Sequence, residues 1–383
     1  MKNYLLTPGP TPIPPKILEI LAKPIIHHRT PQFQKILKEV TEDLRYIFQT
    51  KSDVFVFSSS GTGAMEAAVA NLLSPDDTVI TVEAGKFGER WTEICKAYGI
   101  NTEVIKVEWG RSVEPEMIES KIKEQRLKFK AVFTTFCETS TGVTHNIKAI
   151  GELLKDTDTV LVTDAVSGLG VIPLETDNWG CDVVVAGSQK GLMLPPGLSF
   201  ISVSQKAWNL IKNSKSPKYY FDLLKAKKAL DKTDTPFTPA ISLVIALRES
   251  LKMIREEGLE KRFGRYKKMA EAVKRAVASV GLELFAESSY QSDAITAIKV
   301  PQNIDGEKLV KTMREKYGVW VAEGQAELKG KIFRIAHMGY IQEKDIIRCL
   351  LVLEKVLHSL GYRFKRGETI KVARAILKQR GGL

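Results

Sequence analysis

The stretch Asp182-Val-Val-Val-Ala-Gly-Ser-Gln-Lys190-Gly-Leu-Met-Leu-Pro-Pro-Gly197 decides the reading of this chain. Its apolar, β-branched run predicts a buried strand. The run ends in small polar residues, then a lysine, then a Pro-Pro-Gly turn. An amine delivered by the end of a buried strand into a walled loop can lower its pKa and attack a carbonyl, as in a Schiff base. The chain carries 57 lysines and arginines, and the ordinary reading of any one of them is a solvated surface charge. Lys190 stands apart only if other segments supply the rest of a cofactor site.

Outward from this strand the sequence alternates between two periods. Asp53–Phe57, Thr78–Val82, Thr102–Val107, Ala131–Thr135, Val160–Thr163, Asp182–Ala186 and Leu198–Val203 read as strands. Helices are expected over Pro31–Phe48, Gly63–Leu73, Glu89–Tyr98, Met117–Gln125 and Ile147–Leu154. Several strands are apolar throughout, which suits burial on both faces, so an α/β fold with a mainly parallel, helix-covered sheet is expected. The proline-rich residues 1–20 read as an extended arm, because each proline bars helix at the residue before it. A boundary near Gly258 separates a large domain, residues 21–257, from a smaller α+β domain, residues 258–383. There, strands are expected at Ile295–Val300, Val319–Val321 and Ile332–Ala336, with helices at Leu259–Val280, Gly306–Tyr317 and Glu343–Leu360.

The composition, 44% hydrophobic and 27% charged, is that of a globular protein. No run approaches the roughly 20 apolar residues of a membrane span. The N-terminal Met1-Lys-Asn-Tyr-Leu-Leu-Thr-Pro lacks the apolar stretch of a secretory signal, so a cytoplasmic protein without membrane contact is expected. Cys95, Cys137, Cys181 and Cys349 are far apart and signal neither a disulfide framework nor a metal site. The formal charge of +12 raises the question of nucleic acid. Basic and acidic residues are interleaved nearly everywhere, and only the tail from Arg363 to Arg380 is biased, so no nucleic-acid partner is expected.

Ligands of parallel α/β sheets gather at the carboxyl ends of strands. The Asp53–Phe57 strand runs into Ser58-Ser-Ser-Gly-Thr-Gly-Ala64, where Ser60, Gly61 and Thr62 open a helix. Free backbone N–H groups, a helix dipole and two hydroxyls there make a phosphate cradle. The strand at Thr78 leads to Ala84-Gly-Lys-Phe-Gly-Glu-Arg90, which sets Phe87 between glycines as a ring able to stack on a heterocycle. The strand at Val160 ends in Asp164-Ala-Val-Ser167, a carboxylate that is costly to bury unless it meets a cation such as a protonated ring nitrogen. Ala131–Thr135 leads to Cys137-Glu-Thr-Ser-Thr-Gly-Val143, rich in hydroxyls. Phosphate cradle, stacking ring, carboxylate and Schiff-base lysine together describe a site for pyridoxal 5′-phosphate.

These segments resemble the class V aminotransferases of fold type I, in particular the alanine–glyoxylate and serine–pyruvate group. The resemblance spans nearly the whole chain, from Pro8-Gly-Pro-Thr-Pro through Gly187-Ser-Gln-Lys-Gly191 to Phe333-Arg-Ile335. It implies a seven-stranded, mainly parallel sheet and a homodimer with its active site at the subunit interface. It implies that Lys190 bonds the cofactor, Asp164 pairs with its ring nitrogen, and Phe87 and Val166 face the two sides of its ring. Ser60, Gly61, Thr62 and Gln189 would hold the phosphate, Thr139 would lie near the ring oxygen, and Arg334 and Gly9 would bind substrate. Thr238, or else Thr235, would reach the neighbouring subunit's cofactor.

The implied activity is transfer of an amino group from alanine or serine to glyoxylate or pyruvate, in ping-pong fashion. Aspartate is the alternative donor, although no second arginine stands out for its distal carboxylate, Arg29 being the one left open. A cysteine desulfurase or lyase is a further alternative. Gln189 stands where those enzymes carry histidine, and Cys349 falls in an expected helix, not on a mobile loop. A non-enzymatic binding subunit is a third reading, against which the intact constellation argues.

Overall fold

The computed structural model describes residues 3–124 and 128–379. Gln125, at the end of one expected helix, and Met1, Lys2 and Arg380 lie outside them.

Seven strands form the central sheet, in the order Asp53–Phe57, Ser199–Val203, Val183–Gly187, Val160–Asp164, Ala131–Thr135, Thr78–Glu83 and Asn101–Lys106. Only Ser199–Val203 runs against its neighbours; the other pairings are parallel. Every residue of Val160–Asp164 and Val183–Gly187 is buried, as the apolar runs require. Successive side chains alternate between faces. Val184 and Ala186 join a core with the Pro31–Phe48 and Ile241–Glu257 helices. Val183 and Val185 join one with the Gly61–Leu72 and Lys86–Ala97 helices on the opposite face.

Beyond Gly258 a second core gathers around a three-stranded antiparallel sheet, ordered Ile295–Lys299, Ile332–Ala336, Ala322–Glu323. The Leu259–Ala278 helix bridges the two regions: Leu259 and Phe263 pack in the first core, Tyr266 to Val277 in the second.

One expectation needs correction. The arm is extended only in part: Pro15–Leu21 is a helix, and Pro15 sits in its first turn, where a missing N–H costs nothing. Tyr4–Leu5 pairs with Val319–Trp320, so the arm completes the C-terminal region. The basic tail is also folded: Glu368–Lys378 is a helix burying Ile370, Ala373, Ile376 and Leu377. The Glu354 carboxylate accepts from the N–H groups of Gly367 and Thr369 at its start, at 2.8 and 3.0 Å.

Candidate active site

Loops at the carboxyl ends of the parallel strands converge on one cavity of about 180 Å³. Of the residues expected from sequence, Gly9, Ser60, Gly61, Thr62, Phe87, Asp164, Val166, Gln189 and Lys190 line it. Thr139 and Arg334 do not line it but adjoin it. Thr238 lies elsewhere in its own chain, exposed beside Tyr220 and Phe237.

Lys190 follows Val183–Gly187 and is 7% exposed. Its Nζ donates to the Pro8 carbonyl, while Thr11 donates through N–H and hydroxyl to the carbonyls of Gln189 and Lys190, at 3.0 and 3.1 Å. The arm thus forms a wall over the lysine. Gly9 is required there: its φ is +140°, and an added Cβ would collide with Lys190 Cε and Nζ. Burial lowers the Lys190 pKa to about 8. Cys137 and Asp164 oppose that shift, while the charges of Arg334 and Arg90 assist it.

Asp164 closes its strand inside the cavity, and its Oδ1 accepts from the Val166 N–H at 2.8 Å. Burial raises its pKa to about 6, because no ion pair among the described residues repays its desolvation. Gly61 opens the Gly61–Leu72 helix against Val166; a Cβ there would stand 2.7 Å from Val166 Cγ2. That close approach sets the open N-terminus of this helix beside Val166.

Arg334 is 4% exposed. It donates to the Glu323 carbonyl from Nε and Nη2, at 3.1 and 2.6 Å, and to the Thr139 carbonyl from Nη1, at 2.7 Å. One N–H on each terminal nitrogen remains for a ligand. Arg29 donates to the Thr235 carbonyl at 2.9 Å and is paired with Asp234.

Several cavity residues escaped the sequence reading. Cys137 and Arg90 line the cavity. Glu138, fully buried, accepts from the N–H groups of Phe87 and Gly88 at 3.0 and 3.1 Å. Arg90 was legible in principle: it follows Phe87 by three positions on one helix, which places both on one face.

Pyridoxal 5′-phosphate fits these residues. The Asp164 carboxylate has no ion-pair partner among the described residues, and at the cradle end the Gly61–Leu72 helix begins at Ser60 with no side-chain cap, so its first N–H groups remain to donate. Both ends therefore hold polar capacity that the protein leaves unused.

Comparison with known proteins agrees. The family model described as aminotransferase class-V matches residues 3–348. The chain is 43% identical to the soluble hydrogenase 42 kDa subunit of Anabaena cylindrica, over 97% of this chain and 98% of that protein. It is 34% identical to the serine–glyoxylate aminotransferase of Methylorubrum extorquens, over 99% and 96%. The crystal structure of the ureidoglycine–glyoxylate aminotransferase of Bacillus subtilis superposes with a TM-score of 0.94 at 31% identity, covering 99% of both chains. Similarity of this extent, over a cavity suited to the group the family carries, makes the protein a member of the class V aminotransferases, a transaminase whose cofactor is pyridoxal 5′-phosphate.

Proposed function

We propose that this transaminase moves an amino group between a small amino acid, alanine or serine, and a small 2-oxo acid, glyoxylate or pyruvate. One observation carries the reading. Arg334 is the buried guanidinium with N–H groups to spare beside Lys190, while Arg29 is committed to Asp234 and Thr235. Arg334 can bind one carboxylate, and the other guanidinium of the cavity, Arg90, is turned to Thr62, which leaves no second cation for a dicarboxylate substrate and weighs against aspartate as donor. Glyoxylate stands in the names of two of the relatives described above.

Bound pyridoxal phosphate supplies the electron sink that makes removal of a proton from the substrate Cα feasible. The protein does the rest. Ser60, Gly61, Thr62 and Gln189 would hold the phosphate, and Phe87 and Val166 would confine the ring. Asp164 would keep a proton on the ring nitrogen. Lys190 would tether the group, and its free amine would take up and give back the proton of the substrate Cα. A pKa near 8 suits a base that must be neutral in one step and charged in the next. With one carboxylate site, the first product leaves before the second substrate enters, which is ping-pong order.

The desulfurase alternative needs a mobile cysteine. Cys349 is fully buried in the Glu343–Ser359 helix, and burial pushes its thiol up to about 12.

We also propose a homodimer. Tyr219 and Tyr220, 72% and 40% exposed, cluster on Phe237 beside Thr238, and a second copy seated there would bury the aromatics and receive Thr238 at its phosphate end. The buried free cysteines suit the reducing cytoplasm, where we place the enzyme.

The test is a half-reaction screen: cofactor-loaded protein is mixed with single amino acids and the absorbance change followed. Alanine or serine should convert the cofactor fastest. Conversion by aspartate alone would overturn the substrate reading.

A further inference from the structure

Arg90 stands at the phosphate end of the cavity and takes part in no ion pair among the described residues. Its guanidinium carbon lies 4.9 Å from the centroid of the Phe87 ring, which serves as its platform. From there Nη1 donates to Thr62 Oγ1 at 3.2 Å. A guanidinium has no acceptor atom, so the direction of this bond is fixed: the threonine oxygen accepts. No described residue accepts from the Thr62 hydroxyl. Its hydrogen is therefore free to be given elsewhere, and Thr62 lines the same cavity beside the open N-terminus of the Gly61–Leu72 helix.

We infer that Arg90 is a positioning residue of the phosphate cradle: by donating to one of the two lone pairs of Thr62 Oγ1 it orients that hydroxyl so that its hydrogen is given to the cofactor phosphate. Without Arg90 the hydroxyl can rotate and spend its hydrogen on water or a nearby carbonyl. The inference rests on the assignment of Ser60–Thr62 to the phosphate and concerns how tightly that group is held.

The test uses cofactor-stripped full-length protein in 0.15 M salt, where charges act over only about 8 Å. Equilibrium dialysis measures binding of pyridoxal phosphate and of pyridoxal, which lacks the phosphate, to wild type, Arg90→Gln, Arg90→Lys, Thr62→Val and the double variant Arg90→Gln/Thr62→Val. Arg90→Gln should weaken pyridoxal phosphate about tenfold, the loss of one hydrogen bond to a charged group. Pyridoxal binding should change less than about twofold, because the phosphate is absent from it. In the Thr62→Val background the Arg90→Gln effect should shrink to less than about twofold, the mark of residues acting as one unit. Arg90→Lys, which keeps a donor but loses the planar platform contact, should fall between.

Equal weakening of both ligands, or a tenfold effect that survives in Thr62→Val, overturns the inference. Wild-type protein that binds both ligands equally overturns the cradle assignment itself. A thermal midpoint measured on each stripped variant identifies one that has lost its fold, and Arg90→Lys then carries the comparison.

Discussion

Glu138 caps a helix it does not belong to. Its carboxylate accepts from the N–H groups of Phe87 and Gly88, in the first turn of Lys86–Ala97, and from the N–H and hydroxyl of Ser140 in its own loop. Gly85, at the N-cap, offers no side chain, and a Cβ there would stand 2.5 Å from Glu138 Cδ. The ring that walls the cofactor cavity is thus held by a carboxylate from another strand end. Glu138→Ala leaves these buried donors unpaired and should cost about 3 kcal/mol in denaturant unfolding of the cofactor-free protein. Glu138→Gln keeps one acceptor oxygen and should cost less than half as much.

Lys190→Ala should abolish covalent attachment of the cofactor. Borohydride reduction followed by peptide mapping should label the Lys190 peptide in wild type and no peptide in the variant. Transamination should fall by at least about 10³-fold, the loss of a nucleophile and base in one side chain.

Capture of the cofactor by stripped protein should depend on pH. Burial lowers the Lys190 pKa to about 8, and only the neutral amine attacks a carbonyl. The capture rate should therefore climb as pH rises through about 8 and level off above it, where an ordinary lysine would still be climbing toward 10.5. Stopped-flow absorbance across the range from roughly pH 6 to 10 brackets both values.

Arg334→Lys should lower kcat/KM for amino acid and 2-oxo acid alike, by about 10²-fold, as the bidentate fork is lost. Cofactor affinity should stay within about threefold. A loss confined to one substrate would contradict a single shared carboxylate site.

Strands buried along their whole length were the most legible: Ala131–Thr135 in the central sheet and Ile332–Ala336 in the smaller one fall at the bounds their composition sets. The helices Gln205–Ile211, Leu223–Leu230 and Glu368–Lys378 were not read. The last hides a narrow apolar stripe, Ile370, Ala373, Ile376 and Leu377, among lysines and arginines, so net charge masked its period. In the cavity, residues at strand ends could be read from topology alone. Glu138 could not, because it acts through Phe87, remote in sequence, and for Arg90 the helical spacing shows its place beside Phe87 but not its bond to Thr62.

The arm that walls Lys190 is also a strand partner of Val319–Trp320, and its Leu6 carbonyl accepts from the Ala336 N–H. Tyr4, Leu5 and Leu6 therefore find their backbone partners only once residues 319–336 have been made, although Thr11 meets Gln189 and Lys190 sooner. During synthesis the cavity floor can assemble while its roof waits, and the wall over Lys190 is fixed in place only when residues 4–6 have met residues 319–336. A bulky group attached ahead of Tyr4 should be felt at Lys190, through Pro8 and Gly9, however distant it looks in sequence.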